Sequence, residues 1–219
     1  MRFHLQSFLK SEDQEELHRF RIQVKKISAF LRLLDHINHD GKHIKCFKPV
    51  KKVFRRSGKL RNSYIARKLK PDSLPENKSA GSFRKLVYRR WEKIKKANLA
   101  IRRKIKGVKP APLQRFYRSE LLQVALSLKQ LRSDDQLHDC RKRIKGLLYN
   151  YKRFKEVLDM ALNTRYLEQV EEAIGKWHDQ LLVNPPNSPD QTEEDPTGKL
   201  KSRITRLTRN FYQRALYMR

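Results

Sequence analysis

At 219 residues the chain is long enough for one large domain or two fused small ones, each able to bury its own core. Its 52 Lys and Arg against 23 Asp and Glu leave a formal charge of +29, a field that repels itself unless a polyanion or counterions answer it. A run of about 18 uninterrupted apolar residues, as a transmembrane helix needs, occurs nowhere, and MRFHLQSFLKSEDQEEL lacks the apolar core of a signal peptide. Cys46 and Cys140 have no CxxC spacing, so neither a zinc site nor a disulfide framework is expected, and a reducing cytoplasm suits them.

Seven glycines in the whole chain, and apolar residues at three- and four-residue intervals, predict an all-α protein. Ser11 with Gln14 forms a capping-box pattern that starts a long helix, which His39-Asp40-Gly41 should end. A helical segment over about 43–69 follows, bent by Pro49 and interrupted near Gly58. After the loop PDSLPENKSAG a long helix is predicted over about 82–106, and Pro110 and Pro112 introduce another to about Arg132. Ser133 with Gln136 repeats the capping box before a helix reaching about Leu162. Residues 164–183 read as helix, NPPNSPDQTEEDPTG at 184–198 as a mobile loop, and about 199–217 as a final basic amphipathic helix. The expected total is near eight helices, roughly four per half.

The segment LHRFRIQVKK at 17–26 returns 120 residues later as LHDCRKRIKG, matching Leu17/Leu137, His18/His138, Arg21/Arg141, Val24/Ile144 and Lys25/Lys145. A second match, SGKLRN at 57–62 and IGKWHD at 174–179, pairs Gly58 with Gly175 and Lys59 with Lys176 at an offset of 117. Two matches in the same order at nearly the same spacing point to two copies of one helical unit about an approximate two-fold axis. The halves would span 1–107 and 112–219 within a single domain of 1–219.

At 100° per residue, and with His18 at zero, Arg21, Lys25 and Arg32 fall within one narrow cationic stripe near roughly 300–340°. His138, Arg141, Lys145 and Lys152 take the same angles in the second copy. Leu17, Val24, Ile27, Leu31 and Leu34 form a separate apolar wedge, repeated by Leu137, Ile144, Leu147, Tyr151 and Phe154. The stripes contain no acid, although like charges at i,i+4 destabilise a helix. An extended anion lying along them would neutralise that repulsion. A single Lys or Arg here reads as solvated surface; the repeated stripe reads as a binding surface.

These motifs, with the basic residue or pair after the arginine and the later glycine segment, resemble the CHAD family, the conserved histidine α-helical domain. The resemblance spans about residues 5–217. It implies two four-helix bundles about a pseudo-two-fold axis, with a basic groove between them that binds inorganic polyphosphate. Its binding surface would use His18, Arg21, Lys25, Lys26 and Arg32, and His138, Arg141, Lys142, Lys145 and Lys152. Lys52, Arg55, Lys59 and Arg61, which lead into and through the first glycine segment, would be additions. Asn62 stands where the family often closes that turn with Asp, and Gly146 replaces a second base, so weaker or less symmetric binding is expected.

The chain has no P-loop, no H-E-x-x-H and no Glu-x-Glu-x-Lys strand of the triphosphate-hydrolysing CYTH domains that accompany some family members. Phosphoryl transfer needs carboxylates holding Mg²⁺ near the phosphate, whereas the acids concentrate in 12–16, 168–172 and 190–195. A non-catalytic binding module with no metal site or cofactor of its own is expected, placed in the cytoplasm and associated with polyphosphate granules, with metal ions accompanying the ligand left open. The alternatives are a nucleic-acid-binding helical protein, with Tyr88 and Trp91 beside Arg89 and Arg90, or Tyr117 after Phe116, stacking on bases, and a scaffold at anionic membranes through Lys201, Arg203, Arg206 and Arg209.

Overall fold

A computed structural model describes residues 1–39, 41–69, 78–104, 108–130, 133–183 and 196–216. Among them are ten helices and no strand beyond one isolated antiparallel bridge, Leu162 to Leu216, and no helix is long and apolar enough to cross a membrane. The chain divides into two compact units, Met1–Gly107 and Val108–Arg219.

The first unit begins with α1 (Arg2–Ser11), a helix absent from the sequence reading. Leu5, Phe8 and Leu9 at i, i+3 and i+4 are buried, and Phe8 meets Phe83 edge to face at 5.7 Å. Ser11 therefore closes α1 instead of opening the next helix. Asp13 is the true N-cap of α2 (Gln14–Asn38), its carboxylate accepting from the Glu15 N–H at 2.9 Å. The expected stop is found: α2 ends at Asn38, His39 is left-handed at φ 52°, and Gly41 takes φ 58° without a Cβ penalty. The neighbouring Asp40 lies outside the described residues.

The short α3 (Lys42–Cys46) is held to α2 by Asp35, which accepts from the N–H groups of His43 at 2.7 Å and Ile44 at 2.9 Å. Asp35 also meets the Nδ1 of buried His43 at 2.8 Å. Pro49 does not bend α4 (Lys48–Leu69), because it stands in the first turn where no N–H is required. The helix also runs unbroken through Gly58. It packs on α2 and on α5 (Lys78–Lys104), so Leu17, Phe20, Val24, Leu31, Val53, Leu60, Phe83 and Val87 form the core. Of the loop PDSLPENKSAG only its last four residues are described, and they already belong to α5.

In the second unit α6 (Pro110–Lys129) pairs with α7 (Asp134–Leu158). The predicted capping box is present, with Gln136 accepting from the Ser133 N–H at 3.3 Å. Left-handed Asp159 stops α7 four residues before the expected Leu162, which instead joins the bridge to Leu216. Next, α8 (Thr164–Val183) packs against α7 and against α9 (Pro196–Leu207). The expected last helix breaks: left-handed Asn210 separates α9 from α10 (Phe211–Ala215). Twelve of the residues read as the acidic loop, 184–195, lie outside the described set. The core includes Tyr117, Ile144, Leu147 and Trp177, and Tyr117 satisfies its hydroxyl by donating to the Leu147 carbonyl at 3.1 Å.

Candidate anion-binding surfaces

On α2, His18, Lys25 and Arg32 are exposed and Lys26 is half-buried. Arg21 behaves differently. Its Nη1 donates to the Phe54 carbonyl and to the Ser57 hydroxyl, both at 3.0 Å, and its guanidinium lies 4.5 Å over the Phe54 ring. Gly58 makes room for this: a Cβ there would stand 3.1 Å from Arg21 Nη1. Burial, then the neighbouring Arg61, lowers the Arg21 pKa, but an arginine stays charged.

The second unit builds the same seat. Gly175 lies under Arg141, and a Cβ there would approach Arg141 Nη2 to 2.7 Å. Neither glycine is in a turn, as the sequence reading had it; both sit inside helices, where glycine costs about 1 kcal/mol relative to alanine. The close approach of a guanidinium offsets that cost. Arg21 and Arg141 thus join two helices of their own unit, and their truncation tests packing as well as binding.

A double-mutant cycle measures this. Gly58→Ala alone is expected to be neutral or destabilising, because Arg21 must move. In an Arg21→Ala background the same change should stabilise by about 1 kcal/mol, the helix propensity gain, in denaturant unfolding. Additive effects would show that the glycine serves some other purpose.

Around the Arg21 seat, α4 supplies cations. Lys51, which the sequence reading missed, has its pKa lowered by burial and then by Arg32 and Arg55, with Asp35 acting in the opposite sense. Arg32 of α2 and Arg55 of α4 are therefore each close enough to Lys51 to repel it. The nearby acid, Asp35, is already engaged with α3. Arg32, Lys51, Lys52, Arg55, Lys59 and Arg61 make no ion pair with a described carboxylate, and all but Lys51 are exposed. The signal for Lys51 was its i,i+4 spacing to Arg55 on a helix that must face α2.

The second unit does not match this electrostatically. Glu171 of α8 accepts from Arg141 Nε at 2.7 Å and pairs with Lys145 at 3.0 Å. The α7 stripe has no acid of its own, yet α8 brings one to it, contrary to the expectation of an unopposed stripe. Lys142 pairs with Asp139 at 3.0 Å on the exposed surface, which is worth little. Lys152 is exposed and makes no ion pair with a described carboxylate.

The 117-residue offset locates the difference: Lys51, Phe54 and Arg55 correspond to Glu168, Glu171 and Glu172. Over α4 the sequence holds nine basic residues and no acid, over α8 two basic and four acidic. Residues 1–107 hold 31 basic and 9 acidic residues, a charge of +22; residues 108–219 hold 21 and 14, a charge of +7.

His138 is half-buried and its ring stacks on that of His178 at 4.8 Å and 34°. Its Nδ1 is buried without a hydrogen-bond partner. Burial, Lys142, His178 and Arg141 lower its pKa against the opposing pull of Asp139. Protonation is thus disfavoured in the folded state, so the contribution of His138 to stability is present above the ordinary value of 6.5 and lost as pH falls below it. Unfolding by denaturant at about pH 7.5 and about pH 5.5 should show a smaller loss for His138→Gln than for the unmodified protein. Equal losses would place the acid sensitivity elsewhere.

Cys46 and Cys140 are free thiols; burial pushes Cys140 up to about 11, which makes it unreactive. Among the described residues no group of three or more His, Cys, Asp and Glu is placed to hold a metal ion. Phe116 and Tyr117 belong to the core, Trp91 is half-buried, and Tyr88 is 63% exposed. No family model, curated protein or solved structure matches the chain.

Proposed function

We propose that the chain binds inorganic polyphosphate without turning it over, through basic surfaces on two helical bundles that derive from one duplicated unit of the CHAD type. The observation that carries this reading is the approach of Arg32 from α2 and Arg55 from α4 to Lys51, while Asp35, the acid that acts on Lys51, is committed to α3. Such an arrangement costs folding free energy and gains when a polyanion supplies the missing charge. Polyphosphate has neither bases nor sugars, so Arg, Lys and His suffice to hold it. The duplicated Arg-on-Gly seats fix the helices that carry the cations. The first unit would provide most of the affinity, since Glu171 already neutralises part of the second. The cellular place that fits this ligand is the cytoplasm, at polyphosphate granules.

Calorimetric titration with long-chain polyphosphate tests the reading. Binding should weaken steeply with salt, with a logarithmic slope of about −0.7 for each phosphate neutralised, by analogy with single-stranded nucleic acid. Incubation with Mg²⁺ should release no orthophosphate. Release that tracks the protein would make it an enzyme and defeat the non-catalytic assignment.

One observation favours a second reading. Tyr88 projects from α5 beside Arg89 and Arg90, where an unpaired base can stack. Competition at equal phosphate concentration separates the two: single-stranded RNA displacing labelled polyphosphate, with the advantage lost in Tyr88→Ala, would favour nucleic acid.

A further inference from the structure

The face of α8 opposite Glu171 and Gly175 turns away from α7 and toward α9 and α10. There the second unit has a half-open cleft of about 500 Å³. Its walls carry Lys176 of α8, Arg203 and Arg206 of α9, and Arg214 of α10. Glu172 is its acid, paired with Lys176 at 2.9 Å, so the lining has a net charge of +3 from four cations and one carboxylate. Ala173, Leu200 and Leu207 add apolar surface.

The cations differ in how they are held. Arg214 is fixed: Nη1 donates to the Leu207 carbonyl at 2.7 Å and the guanidinium lies 4.4 Å over the Tyr166 ring. Arg203 and Arg206 are exposed and form no ion pair with a described carboxylate, although Arg203 is near enough to Glu172 to add to the lowering of its pKa by Lys176. Two arginines three residues apart on a short helix repel one another. Their presence beside Lys176 and Arg214 is best explained by an anion with more than one charge.

The volume lies in the range of small-molecule sites, about 300–1,000 Å³, and exceeds what a bare phosphate fills. A phosphate monoester matches both features, since its dianion has three oxygens for converging Arg and Lys donors and its ester group is left to cover leucine. We propose that this cleft is a separate binding site for a small organic phosphate whose apolar body rests on Leu200 and Leu207. The site does not depend on the polyphosphate reading, because none of its residues belongs to the stripes of α2 or α7.

The test is calorimetric titration of the full chain with phenyl phosphate, inorganic phosphate and benzyl alcohol. Phenyl phosphate should bind about tenfold or more tightly than inorganic phosphate, and benzyl alcohol not measurably. Arg203→Gln with Arg206→Gln should weaken phenyl phosphate at least about tenfold, the loss of about one charge-assisted contact. Glu172→Gln, at an exposed position, should tighten it severalfold by removing the competing carboxylate. If the double variant fails to fold, the ratio of phenyl to inorganic phosphate and the Glu172→Gln result decide alone. Equal binding of the two phosphates overturns the proposal. So does a loss confined to variants of Arg32, Lys51 and Arg55, which would place the ligand in the first unit.

Discussion

Replacing Arg32, Lys51 and Arg55 together by alanine is expected to weaken long-chain polyphosphate about 100-fold at low salt and to flatten its salt dependence. A charge-assisted contact contributes about 1 kcal/mol once solvent screening is allowed for, and three such contacts sum to about two decades in Kd. Thermal stability should hold or rise, because the substitutions relieve both the burial of the Lys51 charge and the repulsion from Arg32 and Arg55 that together lower its pKa. The matched triple variant Lys142→Ala, Lys145→Ala and Lys152→Ala should lose only about tenfold, since Lys142 and Lys145 already face Asp139 and Glu171. Equal losses would mean that the two units contribute alike, and no loss from the first triple variant would remove α2 and α4 from the site.

Glu171→Gln should move binding and stability in opposite directions. The charge that holds Arg141 and Lys145 disappears, so both become available to phosphate and affinity should rise about fivefold to tenfold. The fold loses a part-buried ion pair, at about 1–3 kcal/mol, and the midpoint of thermal unfolding should fall by about 3–8 °C. Calorimetry and a thermal scan on the same preparation read both effects. A variant that binds no better would show that α7 does not touch the ligand, whatever its charge.

Much of the helical layout was legible because the apolar spacing and the caps agree. The Ser133–Gln136 box starts α7, and the 164–183 periodicity gives α8 at its observed bounds. The errors fall where a local signal had a rival. At Ser11 the hydroxyl accepts from the Asp13 N–H but closes one helix while Asp13 opens the next, a distinction that depends on Phe8 finding Phe83. At Asn210 one left-handed residue splits an amphipathic run whose periodicity shows no gap.

The candidate surface was legible helix by helix and not between helices. Angles around α2 and α7 identify which residues share a stripe, and the exposed His18, Lys25, Arg32 and Lys152 accord with that. They cannot show that Arg21 reaches Ser57 or that Glu171 reaches Arg141, because such contacts bridge 30 or more residues. The glycines were the available clue: a glycine recurring inside two strongly helical stretches marks a close approach, and here the approaching group is the motif arginine.

The unequal charges of the two units, +22 and +7, have a kinetic consequence. A long polyanion is attracted more strongly to residues 1–107 than to residues 108–219 before any contact forms. On the proposed polyphosphate reading, first contact would fall on the N-terminal unit, so that encounters become directional although a chain of phosphates has no polarity of its own.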